Sequence, residues 1–168
     1  IKNYFSNSSY SDYIKIENLT IGDIVFKFNG HIVLLIERKT MEDLGSSIRD
    51  GRHREQKYRI KNSGLSNENI VFLIEGELKD LKYSSIDKKT LHSSIINTMF
   101  RDGYKVYRTK DCYESISFIE RVLQKTINSD DKILGSLLVP YKKVIEETQM
   151  DTTEDTVPLI PHEKDSNS

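Results

Sequence analysis

Two stretches of the chain carry the residue types of a hydrolytic metal site. Glu37 and Lys39 stand two apart in Ile36-Glu37-Arg38-Lys39-Thr40-Met41-Glu42-Asp43, and Asp23 follows Gly22 upstream. Residues two apart on a strand share a face, so Glu37 and Lys39 point together and Arg38 points away. A carboxylate there binds a hard cation such as Mg²⁺, or Mn²⁺, through oxygen. A lysine beside it can orient an attacking water and offset negative charge growing on a phosphate. Asp23 adds a second carboxylate from a neighbouring strand. Asp43 adds a third, one turn into a helix, where negative charge is favoured. Glu42 is read as facing solvent. Taken alone, an acid beside a lysine at a strand end is more often a solvated pair than a site.

These residues must be positioned by strands and helices that the pattern makes visible. Ile21 to Phe28 and His31 to Lys39 read as two strands around Asn29-Gly30, a hairpin signal. The second is apolar on both faces, with Val33 and Leu35 on one and Ile32, Leu34 and Ile36 on the other. Such a strand belongs in the middle of a sheet covered by helices. Thr40 has the chemistry of an N-cap, with Asp43 at the third helical position. Helices are expected from Met41 to about Arg49 and from Arg52 to Lys61, broken at Asp50-Gly51. Asn69 to Ile74 and Tyr104 to Tyr107 read as strands, and Lys89 to Arg101 and Asp111 to Ile127 as helices. Ile1 to Phe5 reads as the end of a helix and Tyr10 to Glu17 as a weak strand. The fold class is a mixed α/β sheet flanked by helices.

The hairpin poses a problem of parity. A two-residue turn at Asn29-Gly30 pairs Phe28 with His31 and sets Asp23 opposite Ile36, on the wrong face for Glu37. The two acids meet only if the loop gains a residue, as in Asn29-Gly30-His31, or a bulge shifts the register.

Composition narrows the reading. Twenty-five Lys and Arg against 26 Asp and Glu give a formal charge of −1, so any case for nucleic-acid binding must be local. Cys112 is the only cysteine, which excludes an internal disulfide and makes an intracellular, reducing compartment the default. His31, His53, His92 and His162 lack zinc spacing. No apolar run is long enough to span a bilayer. The expected organisation is a catalytic domain over 1–128, a short docking helix or linker over 129–149, and a disordered tail over 150–168, rich in Thr, Asp, Glu, Pro and Ser.

The longer word settles which reading to follow. Gly22-Asp23, Glu37-Arg38-Lys39 and Asp43, followed by Ser46-Ser47-Ile48, Asp50-Gly51-Arg52 and Arg54-Glu55-Gln56-Lys57, resemble the signature of the XPF-type structure-selective endonucleases. The likeness runs from about Leu19 to Ile127. It implies a restriction-endonuclease-like fold, a divalent metal, and hydrolysis of phosphodiesters in branched or flap DNA. It makes Asp23, Glu37 and Asp43 the acidic, metal-binding residues and Lys39 the catalytic lysine. It also implies pairing as a homodimer or heterodimer, here through helices near Leu91–Met99 and Tyr113–Leu123, and a nuclear location for a eukaryotic source, or the host cell for a viral one. Family members usually open with a strand carrying Asp-x-Arg-Glu. This chain starts beyond that strand, so the metal site is expected to lack one acid. Paired helix-hairpin-helix modules do not fit within Ser129–Ser168.

A local basic run supports DNA contact. Arg49, Arg52, Arg54, Lys57, Arg59 and Lys61 crowd the second helix region, opposed by Asp50 and Glu55. Arg52, Gln56 and Arg59 share a helical face. Arg49, Arg52, Arg54, Gln56, Lys57 and Arg59 are therefore the expected DNA contacts, to phosphates rather than bases. The competing readings are a non-catalytic DNA-binding scaffold and a phosphodiesterase acting on RNA or a small nucleotide.

Overall fold

The computed structural model describes residues 1–81, 86–128 and 132–140. Among them one sheet runs in the order β1 (Ile24–Phe28), β2 (His31–Thr40), β3 (Ile70–Glu75), β4 (Lys105–Thr109). β1 and β2 are antiparallel; β2, β3 and β4 are parallel. Parallel neighbours need crossovers. α2 (Met41–Arg49) and α3 (Arg52–Lys61) join β2 to β3, while α4 (Lys88–Ile96), with a π turn at Asn97–Arg101, leads to β4. α1 (Lys2–Ser6) opens the chain and α5 (Cys112–Ile127) follows β4. This is the mixed α/β architecture expected from the sequence.

Helices cover both faces. Leu35, Phe72 and Ile74 pack on one side with Met41, Leu44, Ile60 and Leu91 from α2, α3 and α4. Val33, Leu34, Ile36, Val71 and Leu73 pack on the other with Phe5, Ile119 and Leu137. Leu137 lies in a helical stretch over 133–140, within the segment read as a docking helix. Residues 141–168, including the expected tail, lie outside the described residues. Boundaries follow local chemistry. Thr40 Oγ1 accepts from the Asp43 amide, 3.0 Å, and Asp111 caps α5 at the Glu114 amide, 2.9 Å. No helix of the described residues is long and apolar enough to cross a membrane.

Two elements differ from expectation. Tyr10 to Glu17 is not a strand. Tyr13 and Ile14 donate to the carbonyls of Tyr10 and Ser11, so the backbone is satisfied in a local 3₁₀ turn and has no ladder to join. The first hairpin strand begins at Ile24 and not Ile21, because Gly22 sits at φ +68°, outside the extended region.

Candidate active site

The parity problem is solved by a bulge and not by a longer loop. Asn29 (φ +49°) and Gly30 (φ +81°) make a two-residue turn that pairs Phe28 with His31. Lys27 then pairs with Ile32 and Phe26 with Leu34, leaving Val33 as the extra residue. Val33 consequently joins Leu34 and Ile36 on the α5 side of the sheet, not the Leu35 side assigned from alternation. Asn69, buried in the 3₁₀ turn that leads into β3, donates its side-chain amide to the Val33 carbonyl at 2.9 Å and to the Leu137 carbonyl at 2.6 Å, so the bulge is tied to that turn and to the last described helix.

Past the bulge the register brings Ile24 opposite Ile36, and the next residue pair is Asp23 and Glu37. The Asp23 amide donates to the Ile36 carbonyl at 3.1 Å, and Asp23 Oδ2 accepts from the Arg38 amide at 2.8 Å. Both carboxylates line one cleft of about 160 Å³ with Gly22, Gln56, Arg59 and Ile60. Gly22 has its own reason to precede Asp23. A Cβ there would lie 2.8 Å from Leu35 Cγ, and the positive φ strains any side chain.

Glu37 and Lys39 are 5% and 8% exposed. Lys39 Nζ stands 3.6 Å from Glu37 Oε1, an ion pair longer than a hydrogen bond. Burial pushes the Glu37 carboxyl up to about 7, and the Asp23 charge adds to this, against the opposing charges of Lys39 and Arg59. A carboxylate driven upward by burial and by a like charge across a polar cleft is a position that a hard cation would stabilise. Asp23 and Glu37 thus offer two oxygen donors of the kind that would hold a hard divalent cation. Among the described residues no group of three or more acidic, histidine or cysteine side chains converges on one point. Asp43 stands exposed on the first turn of α2, and Glu42 is exposed beside it.

Arg38, whose role the sequence left open, is anchored on the opposite face. Its Nε and Nη2 donate to Glu75 Oε2 and Oε1 at 2.8 and 2.6 Å, and Ser115 Oγ donates to Glu75 at 2.7 Å. The guanidinium clamps β2 to β3 and α5 while its amide holds Asp23, so one residue fixes the strand end from both sides. Glu75, Ser115 and Asn69 were not singled out from sequence. The contacts that matter here, Arg38–Glu75, Ser115–Glu75 and Asn69–Val33, span 36 or more residues, and no local spacing signals them.

The expected DNA contacts divide. Gln56 and Arg59 face the cleft, and the Gln56 Oε1 is buried without a hydrogen-bond partner among the described residues. Arg49 and Arg52 lie exposed about Asp50, at 3.5 and 3.2 Å. Arg54 is exposed on the far side of α3. Lys57 departs from the expectation. Its ammonium turns inward to Asp102 at 2.8 Å and Thr98 Oγ1 at 2.5 Å, tying α3 to the turn after α4. Helical phase, not charge, decides this, since the position packs beneath the π turn.

The family model described as the ERCC4 domain matches residues 2–122. The chain belongs to the ERCC4 domain family. Among curated relatives, the structure-specific endonuclease subunit MUS81 of Homo sapiens is 44% identical over 94 residues, 54% of this chain and 16% of the relative. The MUS81 of Danio rerio is 43% identical over 94 residues, 54% of this chain and 15% of the relative. The crossover junction endonuclease MUS81 of Gibberella zeae is 31% identical over 137 residues, 80% of this chain and 21% of the relative. This ERCC4 domain thus spans about one-sixth to one-fifth of the length of these relatives. A solved structure described as XPF from Aeropyrum pernix in complex with DNA aligns with a TM-score of 0.49 at 21% identity, over 73% of this chain and 60% of that one.

Proposed function

We propose that this ERCC4 domain is the catalytic module of a divalent-metal-dependent endonuclease that hydrolyses phosphodiesters in branched or flap DNA. The observation that carries this reading is the meeting of Asp23 and Glu37 on one cleft, with Lys39 beside Glu37, in the register that the bulge sets. The relatives' names, structure-specific and crossover junction endonuclease, supply the substrate class. For a eukaryotic source, the reading carries a nuclear location with it.

Asp23 and Glu37 would hold the cation, Mg²⁺ or Mn²⁺. When bound it supplies Lewis-acid polarisation of the phosphate and a water of lowered pKa. The Arg38 amide keeps Asp23 aimed at the cleft, and the Arg38–Glu75 clamp keeps the strand end from moving. Lys39, almost dry, places a fixed positive charge where negative charge grows on the transferring phosphate. Arg59 and Gln56, at the cleft wall, orient the strand to be cut. Asp43, exposed on the first turn of α2, is the third acid of the motif and would serve this site from outside the cleft lining. Arg49 and Arg52 contact phosphates alongside, and Arg54, on the far side of α3, meets DNA away from the cleft.

The domain pairs with a second ERCC4 domain through Ile96, Met99, Phe100 and Tyr113. These apolar side chains stand exposed on α4, its π turn and the start of α5.

The test is cleavage by the purified chain with Mg²⁺ or Mn²⁺, offered flap DNA, intact duplex, single-stranded DNA, RNA and cyclic dinucleotides. Metal-dependent cutting of flap DNA above the others supports the reading. Binding of flap DNA without cutting of any substrate leaves a scaffold, and preferential cutting of RNA or a cyclic dinucleotide gives the phosphodiesterase.

A further inference from the structure

α3 has a second face that the catalytic cleft does not use. Gln56, Arg59 and Ile60 look into that cleft, while Arg54, Tyr58 and Lys61 line a separate groove against α4 and its π turn. The groove encloses about 870 Å³. Arg54, Tyr58 and Lys61 are spaced i, i+4 and i+7, one stripe of a helix. Tyr58 is 68% exposed in the middle of the stripe, an aromatic ring left in water between two cations. Arg54 and Lys61 are exposed and make no ion pair among the described residues.

The opposite wall is built from hydroxyls and amides. Thr90 and Ser93 on α4 and Asn97 at the start of its π turn are exposed at helical spacing, and Arg101 closes the end. Asp102 is the single carboxylate among the described lining residues, and both Lys57 and Arg101 are already on it, at 2.8 and 2.7 Å. The groove is therefore locally positive in a chain whose formal charge is −1. Cations that track phosphates, with an exposed ring between them, are the features by which proteins hold single strands. The run from Arg54 to Lys61 is about 10 Å at ~1.5 Å per helical residue, the length of about three stacked bases. An intact duplex offers no base face to Tyr58, because its bases are stacked within.

Resting on the nuclease reading above, we infer that the α3–α4 groove binds a single-stranded arm of the branched DNA, with Tyr58 as the stacking platform and Arg54, Lys61 and Arg101 on its phosphates. α3 then acts as the ridge between the strand being cut and the strand displaced from it.

The experiment is fluorescence anisotropy with short oligo-dT, in chelator and low salt, using the full chain. Wild-type protein binds. Tyr58→Ala loses affinity by about 5- to 140-fold, the range of one base–aromatic stack. Tyr58→Phe keeps it, since the ring and not the hydroxyl is used. The paired change Arg54→Ala with Lys61→Ala weakens binding and flattens its salt dependence. All three sites are exposed, and circular dichroism verifies that the variants are folded. Unchanged affinity in Tyr58→Ala, equal loss for Tyr58→Phe, or tighter binding of oligo-rU than oligo-dT overturns the assignment. The chelator separates this from the nuclease reading. If flap cleavage fails in metal while oligo-dT binding still depends on Tyr58, the groove stands and the catalytic reading falls.

Discussion

Replacing Arg38 by Met should destabilise the domain more than replacing its partner, Glu75, by Leu. The side chain of Glu75 is 10% exposed and accepts three hydrogen bonds, two from Arg38 and one from Ser115. In Arg38→Met the carboxylate keeps only the Ser115 hydroxyl. Breaking a buried pair by removing one partner costs about 3–5 kcal/mol. The Arg38 side chain is 26% exposed, so water can reach the orphaned carboxylate and the lower end, about 3 kcal/mol, applies. In a domain of this size that lowers Tm by on the order of 10 °C. In Glu75→Leu the cation left behind can turn toward water, and Ser115 keeps its contacts with Thr109 and the Asp111 carbonyl, so the loss is about 1–2 kcal/mol. The double variant should be more stable than Arg38→Met alone, because it removes the carboxylate that was stranded. Urea unfolding of the four proteins forms a double-mutant cycle. A cost under about 1 kcal/mol for Arg38→Met, as for a surface pair, or a double variant no more stable than that single one, would refute the clamp.

Two further perturbations probe neighbouring features. Gly22→Ala should cost about 3 kcal/mol in urea unfolding, from roughly 1–2 for a left-handed alanine and the rest for pressing Leu35; a loss below about 1 kcal/mol would mean that the strand entry can relax. His53 is buried against Phe72, and burial with the nearby Lys57 charge lowers its pKa to about 4. Between the ordinary value near 6.5 and about 4, the unfolded chain takes up a proton that the folded ring refuses, so stability falls as pH falls, by up to about 3 kcal/mol. Glu37, raised to about 7, acts in the opposite sense, so the test is the difference between wild type and His53→Leu, measured in chelator from pH 7 to 4; parallel stability curves for the two proteins would contradict the shift.

What the sequence made visible were features whose cause is local. The Asn29-Gly30 turn, the Thr40 cap and the breaks at Asp50-Gly51 each depend on residues within one turn of one another, and each stands where expected. The bulge at Val33 could be seen as a need but not chosen over a longer loop, because what holds it is Asn69 and the Leu137 carbonyl far along the chain. Arg38 and Lys57 show the same limit. Both sit in runs of charge, and only the fold reveals that one is bound to Glu75 and the other to Asp102. Of the acids in the motif, Asp23 and Glu37 meet across paired strands, whereas Asp43 depends on how α2 leaves β2, which strand alternation cannot specify.

The most direct measurement is the single-turnover rate of flap DNA cleavage by Lys39→Ala beside wild type, at saturating metal, with DNA affinity measured in parallel. Lys39 contacts Glu37 from within a buried strand, and in the proposed reaction its charge would matter most as the phosphate gains negative charge. Losing one such contact costs on the order of 10²–10³ in rate while leaving binding nearly unchanged. A Lys39→Ala protein that cuts flap DNA at the wild-type rate would show that the chemistry lies elsewhere.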